Sequence, residues 1–249
     1  MSDRWLHGAL AESQLGASRT FPRDVISDAL RTLPVTAVFL SGLSTEAVRR
    51  WLSDRGIHHH VTEYDRLLRG CLVARAGAGV VFLDGSDSEE ERRFTFAHEI
   101  AHFVLDYLLP RRRALNAFGD QILPVVDGQR AATKEEALSA VLDRVPLGVH
   151  VQLMNRSSVG VICTWEVEDA EQRADRLALE LLAPAETVLL QLRGKVLSED
   201  DGDQIDEIAA SVAARFGIPS AAARTYTKML LVLRRRIGSP TLKALGIER

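Results

Sequence analysis

The stretch His98-Glu99-Ile100-Ala101-His102 limits what this chain of 249 residues can fold into more than any other part of it. Two histidines four apart face the same way only if the segment is a helix. There they lie one above the other, and each can present a ring nitrogen to one point at the ~2.0–2.1 Å a zinc ion requires. Glu99 sits one residue around the helix. That offset keeps it off the metal and beside a water at an open position, where it can take the proton as the water attacks a carbonyl and later deliver it to the leaving amine. The pattern would arise by chance in roughly one in a hundred chains of this composition. The ordinary alternative is two histidines bonded to neighbours in a core helix. It would require several buried partners to offset their desolvation.

The flanking residues supply the helix. Ser88-Glu89-Glu90-Glu91 has the spacing of a capping box, with Ser88 accepting from the Glu91 amide and Glu91 reaching back to Ser88, and its acids complement the helix dipole. The helix is expected to run to about Leu108. Leu109-Pro110 should end it, because the residue before a proline avoids helical geometry, with Arg111-Arg112-Arg113 as a solvated exit.

A catalytic zinc site needs a third protein ligand and an open position. A second helix is expected from about Glu168 to Leu182, with Ala170, Ala174, Leu177, Ala178, Leu181 and Leu182 as its apolar stripe before Pro184. Glu171 shares a face with Ala174, Ala178 and Leu182, so its carboxylate would point where this helix packs on the first. Periodicity leaves Glu168 and Asp175 open, each about one turn away, and His150 as well.

Composition excludes several classes. The chain is 46% hydrophobic and 26% charged, with a mean hydropathy of −0.01, close to the soluble globular average. Its longest apolar runs fall well short of the ~20 residues a bilayer crossing needs. Two cysteines cannot make a disulfide framework, and with a mixed, polar start to the chain they point to a cytoplasmic setting. The net charge of −3 argues against a nucleic-acid coat. The charge is uneven: Ser211 to Arg249 carries eight Lys or Arg against the single acid Glu248.

The remaining pattern reads as α+β. Helical spacing covers Pro22 to Leu33 and Thr45 to Asp54, with Ser44 as cap to the latter; Ile57 to Val61 reads as extended. Cys71 to Val73 and Val80 to Leu83 form a hairpin about Ala76-Gly77-Ala78-Gly79. A helix at Lys134 to Asp143 and a strand at Val159 to Thr164 are expected. Ile205 to Phe216 and Ser220 to Leu233 make a helix–turn–helix shape about Gly217-Ile218-Pro219. The expected organisation is a metal-binding domain over residues 1–195, a small sheet packed on helices, followed by a helical extension over 196–249.

Arg93-Phe94-Thr95-Phe96-Ala97-His98-Glu99-Ile100-Ala101-His102, after the hairpin strand Val80-Val81-Phe82-Leu83-Asp84, resembles the RFTxAHExxH core of the ImmA/IrrE family of zinc metallopeptidases. Glu171 and the run Ala174-Asp175-Arg176-Leu177-Ala178-Leu179-Glu180-Leu181-Leu182-Ala183-Pro184 resemble that family's second element. The resemblance spans roughly Ser44 to Phe216. Two features depart from it: Ala101 stands where the family often has glycine, and the Pro110 to Asp169 connection is long. It implies a zincin-like fold, with His98, His102 and Glu171 as metal ligands, Glu99 as the catalytic base, and Asp175 beside the metal. It implies zinc as the cofactor, with another divalent ion such as Mn2+ as an alternative. It also implies a protein substrate, a helix–turn–helix transcriptional repressor, in a stress response or in mobile-element regulation. The rival from another class is a non-catalytic DNA-binding or adaptor protein in which zinc is structural.

Other residues carry weaker signals. Asp106, one turn beyond His102, could orient its second ring nitrogen. Tyr107 and Tyr64 could donate to the oxyanion on the scissile carbonyl. Cys71 and Cys163 read as buried thiols, with a zinc-capping thiolate as the alternative. His58-His59-His60 reads as an exposed loop or strand edge, with a second metal site as the alternative. Arg224, Lys228 and Arg234 to Arg236 could meet phosphates, or could form the solvated basic face of a packed appendage.

Overall fold

A computed structural model describes residues 4–57, 64–136, 145, 148–156, 164–191 and 202–237. The chain divides into two compact units, Met1–Ala17 with Asp24–Leu181, and Ser18–Arg23 with Leu182–Arg249. The expected boundary at 195 lies outside the described residues.

The first unit is α+β. Its helices are α1 (Arg4–Ser13), α2 (Val25–Thr32), α3 (Thr45–Ser53), α4 (Glu89–His102), α5 (Leu109–Phe118), α6 (Leu123–Val126) and α7 (Trp165–Leu182). Its strands β1 (Val35–Leu40), β2 (Leu68–Arg75), β3 (Ala78–Asp84) and β4 (His150–Asn155) form one sheet in the order β1-β3-β2-β4. β1 runs parallel to β3, while β2 is antiparallel to both β3 and β4. The β2–β3 hairpin turns at Ala76 and Gly77, both at positive φ (50° and 83°), the conformation a tight hairpin needs.

Alternation along the strands gives the sheet two working faces. On one, Cys71, Val73 and Phe82 pack with Leu43, Val48, Leu52 and Leu68. Fully burying each large apolar side chain there contributes about 1.5–3 kcal/mol. On the other face lies α4, packed on β2 and β3. Two glycines admit the helical chain so closely: a Cβ on Gly79 would lie 3.0 Å from the Phe103 ring, and one on Gly70 would lie 2.5 Å from Thr95 Cγ2.

Asp84, at the end of β3, ties several segments together. Its carboxylate accepts from the backbone N–H of Gly42 (3.1 Å), Leu43 (3.2 Å) and Ser86 (2.9 Å), and from Arg156 just beyond β4 (2.7 Å). Burial raises its pKa, but these hydrogen bonds and that of the Ser86 hydroxyl outweigh it and hold it at about 2.

α3 and α4 are capped as expected, with Ser44 Oγ accepting from the Ala47 N–H (3.3 Å) and Ser88 Oγ from the Glu91 N–H (3.2 Å). Glu91 does not reach back to Ser88; its carboxylate binds Arg69 at 2.8 Å. The helix also does not end at Leu109-Pro110. A π-helical turn, Phe103–Leu108, follows α4, and α5 continues from it with Pro110 in its first turn. The wider turn lets the Leu109 N–H reach the Val104 carbonyl five residues back and keeps Leu109 helical (φ −62°, ψ −47°) before a proline. Nor are the arginines a chain exit: they lie within α5, where Arg111 is buried against Asp127 (2.5 Å), Arg112 pairs with Glu12 and Arg113 is exposed.

Among the remaining expectations, β4 is a further strand, just before the one expected at 159–164; residues 157–163, which hold all of that expected strand but Thr164 and include Cys163, lie outside the described residues. So do His58–His60, residues 61–63, most of the expected helix at 134–143, and the side chains of Arg234–Arg236.

The second unit contains α8 (Ala185–Gln191), α9 (Gly202–Phe216) and α10 (Ser220–Ile237). α9 and α10 pack together across the expected turn, with Gly217 at φ +58°. Tyr226 is buried and donates its hydroxyl hydrogen to the Ala183 carbonyl (2.9 Å). Arg224, one of the residues considered for phosphate contact, pairs with Asp206.

Candidate metal centre

α4 supplies two of the three candidate ligands and α7 the third. His98, Glu99 and His102 are all buried; Glu99 lies against Gly70 of β2, and His98 against Asp175 and Glu171 of α7. Ligand atoms of His98, His102 and Glu171 lie within 4.8 Å of one another, a grouping that could hold a metal ion. His98 Nε2 is 3.0 Å from His102 Nε2 and 3.2 Å from Glu171 Oε2, while His102 Nε2 is 3.5 Å from Glu171 Oε1. Tetrahedral ligands at ~2.05 Å from one ion would stand about 3.3 Å apart, close to these separations.

The outer ring nitrogens are also occupied. His98 Nδ1 contacts Asp175 Oδ1 at 2.8 Å, and His102 Nδ1 contacts Asp106 Oδ2 at 2.7 Å. Imidazoles that donate Nδ1–H to these carboxylates turn their Nε2 lone pairs inward, onto each other and onto Glu171. In that tautomer the three groups converge as acceptors, which protons on the rings or a bound cation would satisfy. Burial lowers the two histidine pKa values, but hydrogen bonds to Asp175 and Glu171 carry His98 up to about 10, and those to Asp106 and Glu171 carry His102 up to about 9. Burial raises the Glu171 carboxyl, yet His102 and His98 hold it far below the ordinary carboxylate range. The pocket thus asks for two positive charges, met by two protons or by one divalent ion.

Glu99 is different. It is fully buried and neither carboxylate oxygen has a hydrogen-bond partner among the described residues. Burial dominates and raises its pKa to about 7, against the lowering influence of His98 and His102. A carboxyl group held at that pKa beside a metal site can both accept and return a proton near neutral pH.

Residues 53–123 match the family model Peptidase_M78, the IrrE N-terminal-like domain. That stretch of the chain is similar to the Peptidase_M78 domain. The matched stretch includes His98, Glu99, His102 and Asp106 and ends before β4 and α7, so Glu171 and Asp175 stand on geometry alone. No match was found among curated proteins or among solved structures. The match agrees with the resemblance carried by the Arg93–His102 core and suggests a metallopeptidase with a zincin-like fold.

Of the alternatives for a third ligand, Asp175 lies behind His98, and Glu168 is exposed at the first turn of α7. His150 stacks on Tyr107 (6.2 Å between centroids) and is outside the group of three. The tyrosines considered for the oxyanion are placed elsewhere. Tyr107 is buried, its hydroxyl accepting from the Gly77 N–H (2.7 Å), and Tyr64 is 82% exposed. Cys71 lies on the far face of the sheet, where burial raises its pKa well above the ordinary thiol range, so it is not a zinc-capping thiolate.

Two residues at the site were not singled out from the sequence. Gln152 on β4 donates from Nε2 to Glu171 Oε1 at 2.6 Å. Gly70 leaves the space beside Glu99, and a lone glycine inside a strand pattern is a signal for such close approach.

Proposed function

We propose that this chain is a zinc-dependent endopeptidase acting on a cytoplasmic protein, a helix–turn–helix transcriptional repressor, in a stress response or in mobile-element regulation. The observation that carries the catalytic reading is the convergence of His98, His102 and Glu171 beside a buried, unpartnered Glu99. Two nitrogen donors and one carboxylate suit zinc, with Mn2+ as the alternative ion. When bound, such an ion supplies Lewis acidity toward a carbonyl and toward water.

The chain's own groups do the rest. Asp175 and Asp106 fix the ring orientation of His98 and His102. Glu99 takes a proton from the attacking water at its carboxylate and returns it to the leaving amine, a task suited to a pKa of about 7. The repressor as substrate rests on the resemblance to the ImmA/IrrE family. The pairing of Arg224 with Asp206 gives no support to the rival DNA-binding reading.

The test uses the full chain loaded with zinc and a helix–turn–helix repressor encoded beside it. Cleavage by the wild type, with none by Glu99→Gln at unchanged zinc content, is expected. Cleavage by Glu99→Gln would overturn the role of Glu99. A zinc-loaded wild type that binds DNA tightly, with a steep salt dependence, and cleaves nothing would favour the rival.

A further inference from the structure

Glu171 differs from the other two candidate ligands in how it is held. His98 and His102 are buried rings, each tied at Nδ1 to a carboxylate. The Glu171 side chain is 36% exposed, and among the described residues the Gln152 amide at 2.6 Å is the donor to it from outside the ligand set. Gln152 stands on the edge strand β4, where its register partner is Leu72 of β2. The sheet that seats α4 therefore also carries the group that steadies the ligand from α7.

The chemistry of the partner matters. A lysine or arginine at 152 would neutralise the carboxylate and weaken its attraction for a divalent ion. An amide donates one hydrogen bond and leaves the full negative charge in place. With Oε1 engaged by Gln152 and 3.5 Å from His102 Nε2, Oε2 is the oxygen nearer the histidine pair, 3.2 Å from His98 Nε2.

We infer that Gln152 is a positioning residue for the metal centre, holding the Glu171 carboxylate through Oε1 so that Oε2 is presented to the ion. This rests on the metal-binding reading above. The test measures binding of Zn2+ to the full chain by competition with a chromophoric chelator, and the visible spectrum of the Co2+-loaded protein. Gln152→Met, of similar length but without the donor, is expected to weaken Zn2+ binding about 10–100-fold and to alter the Co2+ bands, with the unfolding temperature of the metal-free protein unchanged. In a Glu171→Ala background the same substitution is expected to add nothing, because Gln152 acts through Glu171.

Equal affinity and identical Co2+ spectra in Gln152→Met and the wild type would overturn the inference and leave the metal reading standing. An equal loss in both backgrounds would also overturn it. A wild type that binds no Zn2+ would sink the metal reading itself, and this inference with it. Gln152→Leu carries the same expectations if Gln152→Met does not fold, and failure of both to fold would make Gln152 part of the scaffold and overturn the inference.

Discussion

Gly70 and Glu99 are in contact across the sheet–helix interface: a Cβ on the glycine would stand 2.9 Å from Glu99 Oε1 and 3.2 Å from its Cγ. It would also stand 2.5 Å from Thr95 Cγ2, so Gly70→Ala overpacks two buried side chains at once. A loss of about 1–3 kcal/mol in unfolding free energy is expected. Thr95→Ser, which removes the Cγ2 methyl, should recover part of that loss in the double variant but not the displacement of Glu99. Denaturant unfolding of the single and double variants checks this; additive losses would mean that Thr95 and residue 70 do not meet.

Glu99→Gln keeps the shape and removes the proton acceptor. Peptidase activity should fall by about 10²–10⁴ at unchanged metal content. The substitution also has a stability signature in the metal-free protein. Because folding raises the Glu99 pKa from 4.5 to about 7, its favourable contribution is present below pH 4.5 and is lost as pH rises through 7. The wild type should therefore lose stability relative to Glu99→Gln between pH 5 and pH 8, read from paired unfolding curves.

Metal binding must displace protons. With His98 at about 10 and His102 at about 9, both imidazoles carry a proton at pH 7 in the metal-free protein. Uptake of one divalent ion should release close to two protons, measurable by calorimetry in buffers of different ionisation enthalpy. Affinity should climb with pH until about 10, less steeply above 9. The sign for folding is opposite. These raised values stabilise the metal-free fold fully below pH 6.5, and that contribution disappears as pH passes through 9 and 10.

Asp175 and Asp106 should matter separately, since each orients a different ring. Asp175→Asn and Asp106→Asn are each expected to weaken zinc binding about 10–100-fold. Unaltered affinity in either, measured by chelator competition, would remove that carboxylate from the site.

The site was legible where sequence spacing alone determines geometry. Four-residue spacing on a capped helix brings His98 and His102 together, and the stripe on α7 points Glu171 toward them from 73 and 69 residues away. Asp106 could be read for the same reason, as a neighbour four along from His102. What escaped reading depended on contacts distant in sequence. β4 alternates Val151 and Leu153 with His150 and Gln152 over a short run, and Gln152 has a role only once Glu171 lies opposite it. The reading of Leu109-Pro110 as a stop failed because a proline rule written for the α-helix does not foresee a π-helical turn just before it.

That turn makes the helical run from Glu89 to Phe118 a rod with a phase slip. Before the slip the rod carries His98 and His102; within it stands Tyr107, which grips the hairpin at Gly77, and after it Arg111, which grips Asp127. One rod thereby serves two neighbourhoods whose azimuths an unbroken α-helix could not both satisfy. Deleting a single residue between 103 and 108 would put the second half back in step with the first, so the length of this segment is fixed as tightly as the identity of the ligands.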